Sequence, residues 1–159
     1  MDDPSAAQLS DDLAIREVLY GYARGVDRRD WSLFAACFDD EVDIDLSSWN
    51  GAPASRMRRD DWVAGVRAGL SGFDATQHLT ANHLVRVNGD AAHCTSDVQA
   101  SHVLGGERFV LGGWYDTGLR RTADGWRIAA NTLHVTWRDG PERLFAEAAQ
   151  RHAQTADGD

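Results

Sequence analysis

A chain of 159 residues, 43% hydrophobic and 26% charged, has the composition of a globular protein with room for one ordinary core, which excludes a two-domain arrangement and a disordered chain. A formal net charge of −9, with all sixteen basic residues arginine, argues against a surface built for a nucleic-acid backbone. Cys37 and Cys94 lack CxxC spacing, so neither a disulfide framework nor a zinc site is indicated, and no apolar run approaches the roughly 20 residues of a membrane span. A cytoplasmic protein with two reduced, buried thiols is expected, because the acidic first residues carry no signal-type apolar segment.

Residues 1–10 read as a flexible leader, with Ser10 as N-cap and Asp11 and Asp12 as first-turn acids of a helix reaching about Arg28. Ile15, Val18, Leu19, Tyr22 and Val26 recur at helical spacing and form its core-facing stripe. Asp27 lies at the edge of that stripe, so its carboxylate either meets solvent or serves a pocket. A shorter helix over 31–38 follows Asp30, with Trp31, Phe34, Ala35 and Phe38 on one side. Residues 41–46 alternate as a strand, and 47–55, with Gly51 and Pro53, read as a loop. A third helix over 59–70 presents Trp62, Val63, Val66 and Leu70.

Four long strands are then expected over 77–87, 92–104, 108–120 and 126–137, separated by the turn signals Asn88-Gly89-Asp90, Gly105-Gly106 and Ala123-Asp124-Gly125. A last helix over 141–151 ends the domain, set at 11–152, before a flexible tail at 153–159. Helices followed by a meander make the α+β pattern: a conical α+β barrel in which N-terminal helices pack on a strongly curved, mainly antiparallel sheet. Gly112–Gly113 and Gly118 offer places to bend it. Three helices closing one side of such a sheet leave a hollow.

An imidazole is a usable base near neutral pH, and a carboxylate that fixes its tautomer improves it. Asp27 and His78 supply such a pair, and Tyr22 can donate a hydrogen bond to a carbonyl or leaving oxygen. On the residues alone a structural account comes first, with Asp27 capping the next turn and His78 satisfied inside the core. Along the first long strand His78, Thr80, Asn82 and Leu84 share one face and Leu79, Ala81, His83 and Val85 the other. The first set mixes polar groups with an apolar wall, which makes Asn82 a substrate-binding candidate. The second needs cover, which hints at a homodimer packed on the outer face.

His102 shares its strand face with Cys94, Val98, Ala100 and Leu104, as a second acid–base group or as a structural histidine. Asn131 and His134 fall on opposite faces unless a bulge intervenes, so one of them at most joins a pocket. The six tryptophans are core residues by default; one or two, Trp31 among the candidates, are available as a flat wall for a ring. Asp40, Asp43 and Asp45 are the bases an isomerase would want, or else the solvated side of a strand. His78 and His83 are an odd number of residues apart and cannot share one ion, and neither a phosphate-cradling glycine motif nor a nucleophile elbow is present. Cofactor-free proton transfer on a small molecule, with no metal, is the chemistry on offer.

The opening IREVLYGYARGVDRRDW, the QHLTANH stretch and the later DGWRIA motif resemble the SnoaL-like branch of the nuclear-transport-factor-like superfamily across 13–137. That resemblance implies a curved α+β barrel, a homodimer or higher homo-oligomer, and no cofactor. Its dehydratase and dehydrochlorinase group places an Asp at the end of the first helix and a His on the first long strand, which correspond to Asp27 and His78. Bile-acid dehydratase has a Tyr five residues before its Asp, as Tyr22 stands here, and a second His in scytalone dehydratase corresponds to His102. The implied activity is a dehydratase-type lyase on a small cyclic or polyketide-like molecule. An isomerase or cyclase acting through an enolate and a non-catalytic accessory subunit are the rival readings, because the fold alone does not set the reaction.

Overall fold

Helix α1 spans Ala6–Arg28 in the computed structural model, which describes residues 5–156. Ser5 caps it through a reciprocal box with Gln8, so the helix starts ahead of Ser10 and the expected leader is helical from Ala6. The rest of that leader, 1–4, and the end of the expected tail, 157–159, lie outside the described residues. Asp11, expected as a first-turn acid, instead ties α1 to the sheet. It accepts Arg121 Nη1 and Nη2 at 2.8 Å each and Trp126 Nε1 at 3.1 Å.

Helix α2 (Trp31–Ala36) follows, then strand β1 (Phe38–Asp45). The segment expected as a loop holds α3 (Ser47–Asn50) and the start of β2 (Ser55–Arg58), which leads into α4 (Arg59–Leu70). The long strands are β3 (Ala75–Asn88), β4 (Ala91–Leu104), β5 (Glu107–Thr122) and β6 (Gly125–Asp139). Helix α5 (Arg143–Ala156) takes in much of the expected tail. Among the described residues no helix is long and apolar enough to cross a membrane.

The six strands lie in the order β2-β1-β6-β5-β4-β3, antiparallel throughout except that β1 runs parallel to β6. The sheet curls without closing. Register shifts between β5 and β6 fall at Gly112/Gly113 and Gly118/Leu119, where bulges add local twist. A Cβ on Gly113 would lie 2.0 Å from the His134 carbonyl oxygen, so only glycine lets the strands approach there. A third irregularity, between Ala81 and Leu84, centres on Asn82 in the left-handed region at φ 53°. Thr76, His78 and Thr80 face inward before it, and His83, Val85 and Val87 after it.

That bulge corrects the simple alternation. Leu84, expected beside His78, is 66% exposed on the outer face, while His83 is buried and Val85 joins the core. The core forms two parts. Ile15, Phe34, Phe38, Trp126 and Ile128 pack beneath α1, α2 and α4, and Phe73, Phe109, Leu144 and Ala148 pack under α5. Tyr22, Leu46 and Leu70 touch both parts, and a hollow is left between them.

Candidate active site

Arg29 ends α1 in a left-handed conformation, its N–H reaching back to the Gly25 and Val26 carbonyls. Gly25 admits the next helix, since a Cβ there would lie 2.7 Å from the Phe34 nitrogen. Asp27 therefore sits in the last turn, where a helix dipole disfavours negative charge. Strand β3 supplies the compensation. Thr76 Oγ1 donates to Asp27 Oδ1 at 3.0 Å and the His78 amide donates to Oδ2 at 2.7 Å. The His78 ring meets Oδ1 through Nδ1 at 2.7 Å. Thr76 and His78 reach the same carboxylate because they are two apart on one strand face. Arg29 Nη1 donates to Thr76 Oγ1 at 2.8 Å, leaving that hydroxyl's own hydrogen for Asp27.

Burial alone would raise the Asp27 carboxyl, but the hydrogen bonds and charge of His78, with Thr76, outweigh it and hold the group below its usual 3.8. An ionised carboxylate only accepts. In the neutral ring, Nδ1 therefore carries the proton and Nε2 keeps its lone pair.

The His78 ring forms part of the wall of a cavity of about 330 Å³, whose polar groups also include Tyr22, Tyr115, His102 and Asn50. His102 stands opposite Thr76 on β4, its ring centroid 5.6 Å from that of His78 and 4.8 Å from that of Phe145. Burial among these rings, with the neighbouring His78, pushes its imidazole down to about 3, so it is uncharged at neutral pH. Among the described residues its Nδ1 has no hydrogen-bond partner. Tyr22 and Tyr115 lie with ring centroids 5.7 Å apart. Burial raises both phenols above their ordinary value, so each remains a protonated donor.

Tyr115 is the polar residue that the linear reading passes over, although the hairpin at Gly105-Gly106 carries the signal. Pairing Leu104 with Glu107 and counting back sets Tyr115 opposite Ser96, on the same face as His102. The tryptophans at the wall are Trp49 of α3 and Trp62 of α4. Trp31 is not among the lining residues; its ring packs edge-on against Phe34 at 6.0 Å. Trp49 is one of the six tryptophans available as a wall but is not singled out by the sequence, because its segment reads as a loop. Ser48 anchors that segment to β6 by donating to the Leu133 carbonyl at 2.5 Å and accepting the Val135 amide at 3.0 Å.

Two other candidates fall outside the cavity. Asn82 points outward from the bulge and donates to Asp97 Oδ2 at 2.6 Å. Asn131 faces inward but accepts Thr117 Oγ1 at 2.8 Å and borders only a separate cleft of about 10 Å³ behind the two tyrosines. No bulge separates it from His134, which stacks on Trp114 with centroids 3.8 Å apart. Asp40 and Asp43 are exposed and face Arg59 and Arg56, and Asp45 accepts the Ser47 amide. Among the described residues no group of three His, Cys, Asp or Glu side chains gathers where it could hold one ion.

Comparison with known proteins joins this architecture to others. A profile of the SnoaL-like domain family matches residues 7–132. The uncharacterized protein Rv2910c of Mycobacterium tuberculosis is 32% identical over 127 residues, covering 78% of this chain and 84% of that protein. The crystal structure of the Kfla4162 protein from Kribbella flavida is 29% identical, covers 89% of this chain and 98% of its own, and superposes with a TM-score of 0.80. The hexachlorocyclohexane dehydrochlorinase LinA-type3 from Novosphingobium barchaimii shares the fold at 17% identity, with a TM-score of 0.69 over 84% of this chain and 92% of that one.

Proposed function

The chain belongs to the SnoaL-like domain family, and from that premise we propose that it is a cofactor-independent lyase performing a dehydratase-type elimination on a small cyclic or polyketide-like molecule. The observation that carries the reading is the 2.7 Å contact between His78 Nδ1 and an ionised Asp27, with the ring on the wall of a largely apolar cavity.

His78 Nε2 removes a proton from the carbon next to a carbonyl, and Asp27 stabilises the imidazolium that results. The electron pair moves into the carbonyl as an enolate, whose oxygen takes hydrogen bonds from Tyr22 and Tyr115. As the enolate collapses, the carbon–carbon double bond forms and the β-hydroxyl leaves, taking the proton from His78 to depart as water. The base is thereby restored. A protein sharing the fold is a hexachlorocyclohexane dehydrochlorinase, and dehydrochlorination is likewise an elimination.

The paired phenols also favour a second reading, isomerisation or cyclisation through that enolate. Incubation with β-hydroxy cyclic ketones separates the two, since elimination lowers product mass by one water and isomerisation conserves it. His78→Ala and Asp27→Asn are expected to lower the rate by about 10²–10⁴-fold with the fold intact by circular dichroism. Full activity in either variant would remove the dyad.

A further inference from the structure

The inner face of the sheet carries a polar layer that the reaction leaves unused. Thr80 of β3, Ser96 of β4, Thr117 of β5 and Asn131 of β6 line the small cleft, and Tyr22 and Tyr115 border both it and the substrate cavity. The register aligns them, with Ser96 opposite Tyr115 and Thr117 opposite Asn131. A buried hydroxyl or amide left without a partner costs about 1–3 kcal/mol, so each group here needs an account. Thr117 Oγ1 donates to Asn131 Oδ1 at 2.8 Å, which turns the amide and leaves both Nδ2 hydrogens for another acceptor. Ser96 and Asn131 are each only 4% exposed. Among the described residues neither Ser96 Oγ nor Asn131 Nδ2 makes a hydrogen bond, yet neither atom is sealed off by its neighbours. The space that both residues line is the cleft, whose surface is partly polar and whose volume is about 10 Å³. One water needs about that much room and two or more polar partners.

We propose that this cleft binds one ordered water, and that Ser96 and Asn131 are positioning residues acting through it. The water accepts from Asn131 Nδ2 and from the Ser96 hydroxyl, and it donates to the phenol oxygens. The phenol hydrogens are then left for an oxygen of the substrate. A hydrogen bond received at its oxygen also makes a phenol a stronger donor, because bonds in a chain polarise one another. The donation to substrate rests on the lyase reading; the water and its two partners do not.

A crystal structure of the native protein tests the site. One water is expected within about 3.2 Å of both Ser96 Oγ and Asn131 Nδ2. Asn131→Leu fills the cleft and expels it. Ser96→Val does the same while leaving Thr117 its acceptor, and serves if the first variant does not fold. The positioning role is read from the infrared carbonyl band of cyclohexanone bound in the cavity, which lies at lower wavenumber the more strongly the phenols donate. In the water-free variant the band shifts back to higher wavenumber, as it does in Tyr115→Phe. With β-hydroxy cyclic ketones, kcat in that variant falls about two- to tenfold while KM holds. A native structure without a water bonded to both residues overturns the site. A band at the same position in native and water-free protein overturns the positioning role, as does a fall in kcat matched by an equal rise in KM. Native protein that holds the water and shows the band shift, yet eliminates nothing from the hydroxyketones, would sink the lyase reading and support this one.

Discussion

Asp27 combines a poor location with rich compensation. A carboxylate at the carbonyl end of α1 is opposed by the helix dipole, yet three donors from β3 keep it ionised. Strand alternation gives His78 its face, but periodicity leaves Asp27 at the edge of its helix stripe, and the pairing of the two was legible only through the family resemblance. His102 has the opposite balance, with burial and the neighbouring His78 outweighing what the charge of Asp27 returns. Its folded value of about 3 lies below the ordinary 6.5, so protonation favours the unfolded chain. Stability is complete above 6.5 and falls by about 1.4 kcal/mol per pH unit below it, toward 3. His102→Phe is therefore expected to flatten the loss of stability between pH 6.5 and 4.5, read from urea unfolding at several pH values. A residual slope remains from His83, whose buried ring is also held below its ordinary value. An unchanged slope would show that His102 does not titrate this way.

At the scale of the element, one backbone torsion decides what β3 shows to the cavity. Asn82, in the left-handed region, inserts a step that moves Leu84 out and His83 and Val85 in. Period-two reading works up to Thr80 and fails beyond it, because nothing in the side-chain pattern announces a bulge and Asn is only permissive of that conformation. Asn82→Gly keeps the torsion and is expected to unfold close to the native temperature. Asn82→Val should cost about 1–3 kcal/mol. Both should retain catalytic rate, since the side chain faces Asp97 and not the cavity. Equal melting temperatures for the two variants would mean that the torsion carries no strain. Tyr115 and Trp49 show two other limits of linear reading. The first needed the hairpin register carried across two strands, and the second sits in a four-residue helix too short to have a period.

At the scale of the whole molecule the general form was legible: helices first, four long strands, glycines where the sheet bends. The parallel placement of β1 beside β6 was not, since it joins segments far apart in sequence that no hairpin turn connects. The same long-range logic gives α1 a mechanical part. Asp11 fastens one end to Arg121 and Trp126, and Asp27 fastens the other to Thr76 and His78. Sixteen residues of helix make a rigid strut about 24 Å long between these two moorings. Releasing the far mooring lets the strut slide along its axis, and a shift of even 1 Å would spoil the alignment of base and carboxylate. Asp11→Ala is thus expected to slow turnover about tenfold or more from that distance, with substrate affinity little changed. A steady-state comparison of kcat and KM reads it, and an unaltered kcat would mean that the near mooring alone sets the geometry. Tolerance to mutation on this helix should then follow the anchor points and not the distance from the chemistry.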